Sequence, residues 1–107
     1  MIEFADSCVT LLSMQMPSVV VRHNVSETRF EATIEGSLAV VEYAREKNSL
    51  VVTHTFVPVL LRGRGIAEQL VRAALDYARG QKLSVIPVCS YVAQFVARHP
   101  EYADLVG

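Results

Sequence analysis

Between residues 50 and 88 the hydrophobic pattern changes period twice, from two to near 3.6 and back. Residues 50–57 are β-branched and apolar enough for a strand, with Val52, His54 and Phe56 expected on one face. From about residue 63 to 79 an apolar stripe runs through Ile66, Leu70, Ala73, Ala74, Tyr77 and Ala78. Arg64, Glu68, Gln69, Arg72, Asp76 and Arg79 fall mostly outside it, which predicts an amphipathic helix. Residues 83–88 are apolar again and read as a buried strand. Strand, helix and strand joined this closely make a right-handed crossover, so the two strands should lie parallel and adjacent. The turn into the helix is Arg62-Gly63-Arg64-Gly65-Ile66-Ala67. Its two glycines leave backbone N–H groups bare, and the positive end of the helix dipole points at the same place. That is a seat for a phosphate. It is neither a Walker A loop nor a GxGxxG fingerprint, and the six residues alone fit an ordinary turn into a helix equally well. The strand before and the helix after are the context an anion site requires.

The upstream half reads as a meander. Residues 19–23 follow Pro17 and form a short strand, and 24–27 turn. In 29–34, Phe30, Ala32 and Ile34 alternate with Arg29, Glu31 and Thr33, the mark of a half-buried strand. Glu35-Gly36-Ser37 signals a hairpin into a strand over 38–44, and 45–49 turn again. Gly80 suits the left-handed position just past the long helix. Ser90 should cap a short helix that runs through Arg98 and stops at Pro100. The expected fold is α/β, more closely an α+β mixed sheet. An antiparallel meander is followed by a β-α-β crossover and a C-terminal helix, with helices on the faces of the sheet.

At 107 residues the chain supports one domain and one core. A 51% hydrophobic content with 20% charged residues excludes wholesale disorder. A formal charge of −1 argues against a nucleic-acid partner held by bulk electrostatics, so any anion site is local. No apolar run approaches the roughly 20 residues of a membrane span, so no membrane partner is expected. Cys8 and Cys89 make no disulfide framework, which points to a reducing, cytoplasmic setting. No CxxC, HExxH or His/Cys cluster supports a metal. Residues 1–16 carry Glu3 and Asp6 ahead of a short apolar stretch and no Lys or Arg, the wrong charge for a signal peptide. They are expected to be a poorly ordered extension before a domain over 17–107, with Met14 or Met16 as a candidate start.

The turn Arg62 to Ala67 also matches the Gln/Arg-x-x-Gly-x-Gly/Ala signature of the GNAT superfamily of acyl-CoA N-acyltransferases. Three further segments fall in register with it: His54-Thr55-Phe56-Val57-Pro58, Pro87-Val88-Cys89-Ser90-Tyr91-Val92 and Arg98-His99-Pro100-Glu101-Tyr102. Over residues 19–106 the chain resembles the minimal single-domain GNAT subfamily of acetyl-CoA-dependent N-acetyltransferases, whose members are about the length of this one. The resemblance implies acetyl-CoA as co-substrate and an amine, on a small molecule or a protein, as acceptor. It implies that the amides of Gly63, Arg64, Gly65, Ile66 and Ala67 hold the pyrophosphate, with Arg62 or Arg64 near the phosphates. The pantetheine arm would pair with backbone near Phe56 and Val57 like an added strand, which requires the next parallel strand to splay away. Pro87 supplies a reason for splaying, because it cannot donate a ladder hydrogen bond; equally, it could merely end the strand.

Transfer of acetyl to an amine needs an ammonium proton removed, an oxyanion stabilised and a thiolate protonated. An N–H near Val57 would meet the oxyanion. Cys89 precedes a helix whose N-terminus favours its thiolate, and the resemblance singles it out as nucleophile or acetyl carrier; a small buried hydrophobe is the competing role. His54 could accept the amine proton or be a satisfied core histidine. Tyr91 could protonate the leaving thiolate, although the family's usual tyrosine-bearing helix pattern is not reproduced and a packing role competes. His99 reads as structural, His23 as surface, and Cys8 has no role. Larger GNAT enzymes wall the acceptor pocket with two helices after their first strand, where this chain has only residues 24–28. The acceptor site is then shallow, completed by a second subunit in a homodimer, or suited to a large partner such as a protein N-terminus or lysine. A non-catalytic acyl-CoA sensor or interaction module would keep the glycine turn and need neither Cys89 nor His54.

Overall fold

Five strands lie across one mixed sheet in the order in which the chain makes them. The computed structural model describes residues 19–106, so the expectations for residues 1–16 and Cys8 fall outside the described residues. Strands β1 (Arg22–Asn24), β2 (Arg29–Ile34), β3 (Ser37–Glu46) and β4 (Ser49–Phe56) form the antiparallel meander. A 3₁₀ turn, Val59–Leu61, leads to helix α1 (Ile66–Gly80), after which β5 (Ser84–Pro87) pairs parallel to β4. Helix α2 (Ser90–Arg98) and a 3₁₀ segment, Pro100–Leu105, complete the domain. Val106 bridges to Val85 on the free edge of β5.

The alternation in β2 sends Phe30 and Ala32 into the core beside Val41 and Ala39 of β3. The hairpin between them is the tight two-residue kind, with positive φ at both Glu35 (53°) and Gly36 (79°). In α1 the buried stripe is Ile66, Leu70, Val71, Ala74, Leu75 and Ala78. It is rotated from the expected stripe toward Leu75, leaving Ala73 and Tyr77 only partly buried at its margin, because the helix settles on its largest apolar side chains. Leu50, Leu70 and Leu75 are wholly buried, each contributing about 2–3 kcal/mol of transfer free energy.

Both helices lie on one face of the sheet, not on both as expected. The Arg72 guanidinium of α1 sits 5.4 Å from the Phe95 ring of α2 and 5.7 Å from Tyr102. Tyr102 donates to Asp76 at 3.0 Å, and Arg79 pairs with Asp104 at 2.9 Å. The opposite face exposes Thr33, Leu38, His54, Phe56 and Ile86, while Glu31 and Val40 on it are buried. That one-sidedness explains why β5 buries only Val85 rather than the whole of residues 83–88. Two other expectations change. Gly80 ends α1 inside the helix, and the left-handed residue is Lys82 (φ 59°), where the Leu83 amide closes back on Ala78 at 2.8 Å. His23 is half-buried rather than simply at the surface: its ring stacks on Phe30 at 4.1 Å, and its Nε2 lies 2.6 Å from the Tyr43 hydroxyl.

Candidate functional site

Two irregularities in β4 prepare the site. The β3–β4 register shifts between Glu42, opposite His54, and Tyr43, opposite Val52, which leaves Thr53 as an extra residue. Its hydroxyl donates to the Glu42 carbonyl at 3.3 Å. A bulge of this kind changes the phase of every side chain beyond it. Thr55 therefore joins the core face opposite Val41, while His54 and Phe56 turn to the open face opposite Glu42 and Val40. The expectation that Val52, His54 and Phe56 share one face is corrected by this one residue.

The second irregularity is where β5 leaves β4. Their pairing stops at Val52 opposite Pro87. The Val88 amide folds back on Ile86 at 3.1 Å, and the Cys89 amide makes the last link, to the Val52 carbonyl, at 3.0 Å. From Thr53 to Phe56 the β5 side of β4 has no strand neighbour.

That unpaired edge runs into the glycine turn. Pro58 begins the 3₁₀ turn, and Leu61, 1% exposed, anchors it in the core. Gly63 (φ 84°) and Gly65 (φ 76°) then take left-handed conformations that side chains resist. A Cβ at either would meet nothing within 4 Å, so conformation rather than crowding requires glycine there. Gly65 is the N-cap of α1 and offers no side-chain cap. The first amides of the helix therefore have neither an intrahelical acceptor nor a cap. The geometry suits an anion: a cleft at Gly63, Gly65, Ile66 and Ala67 meets bare N–H groups at the positive end of a fifteen-residue helix.

The two arginines of the turn are engaged elsewhere. Arg62 Nε donates to the Val57 carbonyl at 2.9 Å, and Arg64 pairs with Glu35 at 3.0 Å. Glu68, in the first turn of the helix, is held by Arg72 at 3.1 Å.

A cleft of about 350 Å³ joins these parts, lined by Thr55, Phe56, Val57, Leu61, Arg62, Gly63, Gly65, Ile66, Ala67 and Tyr91. It thus brings together seven of the expected cofactor-binding residues, Phe56, Val57, Arg62, Gly63, Gly65, Ile66 and Ala67, and leaves Arg64 outside the lining. Cys89 adjoins it through Thr55, whose Oγ1 lies 3.5 Å from Sγ. Burial pushes the Cys89 thiol up, but the Thr55 hydroxyl and the amides of Val92 and Tyr91 outweigh it and bring the thiol below its ordinary range. No cap hydrogen bond forms, so the amides act at longer reach. Tyr91 is raised, first by burial and then by the Glu68 carboxylate, and so keeps its proton. His54 is exposed on the open face and is not part of the lining. Thr55, Leu61 and Glu35 escaped the sequence reading. Thr55 faces inward only because of the bulge, and Glu35 reaches the turn across 29 residues of chain. Among the described residues no cluster of His, Cys, Asp or Glu could hold a metal ion.

The model of the GCN5-related N-acetyl-transferase family matches residues 29–105. Protein NATD1 of Danio rerio is 32% identical over 92 residues, covering 80% of this chain and 83% of that protein. Protein NATD1 of Xenopus tropicalis is 31% identical over 87 residues, covering 78% and 79%. The NMR solution structure of a GCN5-like protein from Staphylococcus aureus superposes with a TM-score of 0.68. It is 24% identical, covers 86% of this chain and 91% of its own, and speaks to the fold.

Proposed function

The chain belongs to the GCN5-related N-acetyltransferase family, and from that premise we propose that it transfers the acetyl group of acetyl-CoA to an amine. One observation carries the reading. A strand edge left unpaired beyond Val52 leads along a single cleft to an uncapped helix N-terminus. A ligand with a peptide-like arm and a diphosphate is complementary to both ends.

In this reading the amides from Gly63 to Ala67 hold the diphosphate, and the backbone at Phe56 and Val57 pairs with the pantetheine arm. The amine nitrogen attacks the thioester carbonyl, forming the N–C bond as the C–S bond breaks. An N–H near Val57 stabilises the developing oxyanion. His54 takes the ammonium proton through water from the open face. Tyr91, kept protonated by its burial, gives a proton to the departing thiolate and regains one from solvent. The open face places no wall beside the thioester, which suits an acceptor larger than the cleft, such as a protein N-terminus or a lysine side chain.

A second reading rests on Cys89. Its favoured thiolate beside Thr55 supports a two-step route in which Sγ takes the acetyl group, CoA thiolate leaves, and the amine then attacks the acetyl-cysteine. A non-catalytic acyl-CoA sensor would share the diphosphate seat and need no such thiolate. Calorimetry with CoA tests the common premise: saturable binding is expected, and it should fall by at least about tenfold, or ~1.4 kcal/mol, in Gly65→Glu. Indifference of both proteins to CoA would overturn it. Incubation with acetyl-CoA followed by intact mass separates the routes, since an adduct lost in Cys89→Ala supports the covalent one. CoA release against a panel of amines and peptides separates enzyme from sensor.

A further inference from the structure

The Arg64–Glu35 pair joins the phosphate turn to the tip of the β2–β3 hairpin, and neither partner is well explained by stability. Both side chains are largely exposed, 47% and 67%, the setting in which an ion pair adds little. Glu35 also occupies the first position of a tight hairpin turn at φ 53°, where Asn, Asp or Gly is favoured. A residue kept in an unfavourable conformation for a weak contact points to a role outside folding. Two other charged side chains near the helix N-terminus are engaged in contacts of their own. Glu68 is neutralised by Arg72, and Arg62 is committed to the Val57 carbonyl. Arg64, between the two glycines and just outside the cleft lining, pairs with the exposed Glu35 carboxylate.

We propose that Glu35 sets the affinity for the anionic half of the co-substrate by competing with its diphosphate for Arg64. With the seat free, Glu35 holds the guanidinium; a bound diphosphate takes it over, and the carboxylate is released to solvent. The inference rests on the diphosphate reading of the turn given above. It makes the hairpin tip, remote in sequence and outside the cleft lining, a brake on cofactor binding that is relieved by high co-substrate concentration.

Calorimetry with CoA on wild type, Glu35→Asn, Arg64→Gln and the double variant provides the test. Asn suits the turn, so Glu35→Asn should fold with thermal stability at least equal to wild type. It should bind CoA roughly three- to tenfold more tightly at about 0.05 M salt, with the gain shrinking at about 0.5 M as screening weakens the exposed pair. In the Arg64→Gln background the gain should vanish, and acetyl-pantetheine, which lacks the diphosphate, should show no gain in any variant. Equal or weaker CoA binding by Glu35→Asn, or a gain that persists without Arg64, overturns the proposal while the diphosphate seat stands. A wild-type protein that does not bind CoA overturns the seat and this inference together.

Discussion

At the scale of single residues, Cys89 and His23 both titrate below their ordinary values, for opposite reasons. The Cys89 thiol is brought down by the Thr55 hydroxyl and two helix amides against the effect of its burial. Because the thiolate is the reactive form, its alkylation by iodoacetamide should reach half-maximal rate below the roughly 8.5 of a free thiol. Thr55→Val should move that midpoint upward. Peptide mapping in a Cys8→Ser background isolates the signal, and an unchanged midpoint would remove Thr55 from the account. His23 is depressed by burial among Phe30, Tyr43 and Tyr77. Between its lowered folded value and the ordinary 6.5, the unfolded chain binds the extra proton, so stability rises with pH across that window. It is fully present above 6.5 and lost as the pH falls. Urea midpoints should therefore drop between about pH 7.5 and 5.5 in wild type, and drop less in His23→Phe, which keeps the stacking on Phe30. His23 looked exposed in sequence because its strand is only three residues long and its aromatic neighbours come from three other elements.

At the scale of elements, the decisive event is how early β5 leaves β4. Pro87 has no N–H to offer at the last paired position, and the chain folds back at Val88. Pro87→Val should let the pairing run on and narrow the cleft. CoA binding should weaken about fivefold, roughly 1 kcal/mol, without loss of thermal stability. Unchanged affinity would mean that the splay is fixed by the Cys89–Val52 link instead. Much of this was legible beforehand. The glycine turn, the long helix and the meander follow from periodicity and from residues with a single backbone preference, whereas the exact buried stripe of α1 was set by its large apolar side chains. The bulge was not legible, because nothing local in residues 50–57 marks Thr53 as extra. Its cause lies in the register with β3, and so His54 was placed on the wrong face while Thr55 was passed over. Gly80 misled for a related reason: the helix ran on until its closing hydrogen bonds put the left-handed turn at Lys82.

At the scale of the whole molecule, the domain is two layers, with both helices packed on one side of a five-stranded sheet. A ligand that fills the cleft binds only the folded form. Saturating CoA at about a hundred times its dissociation constant should therefore add roughly 2.7 kcal/mol to stability, visible as a raised melting temperature. Pantetheine alone should raise it less, and no shift with CoA would contradict the cleft's assignment. The free edge of β4 has a further consequence. A stretch from Thr53 to Phe56 on which β5 does not pair is a template on which another polypeptide can lay its own backbone. If CoA lies along that edge as proposed, the ligand-free protein should be the species that clumps in concentrated solution, and light scattering with and without CoA would read the difference.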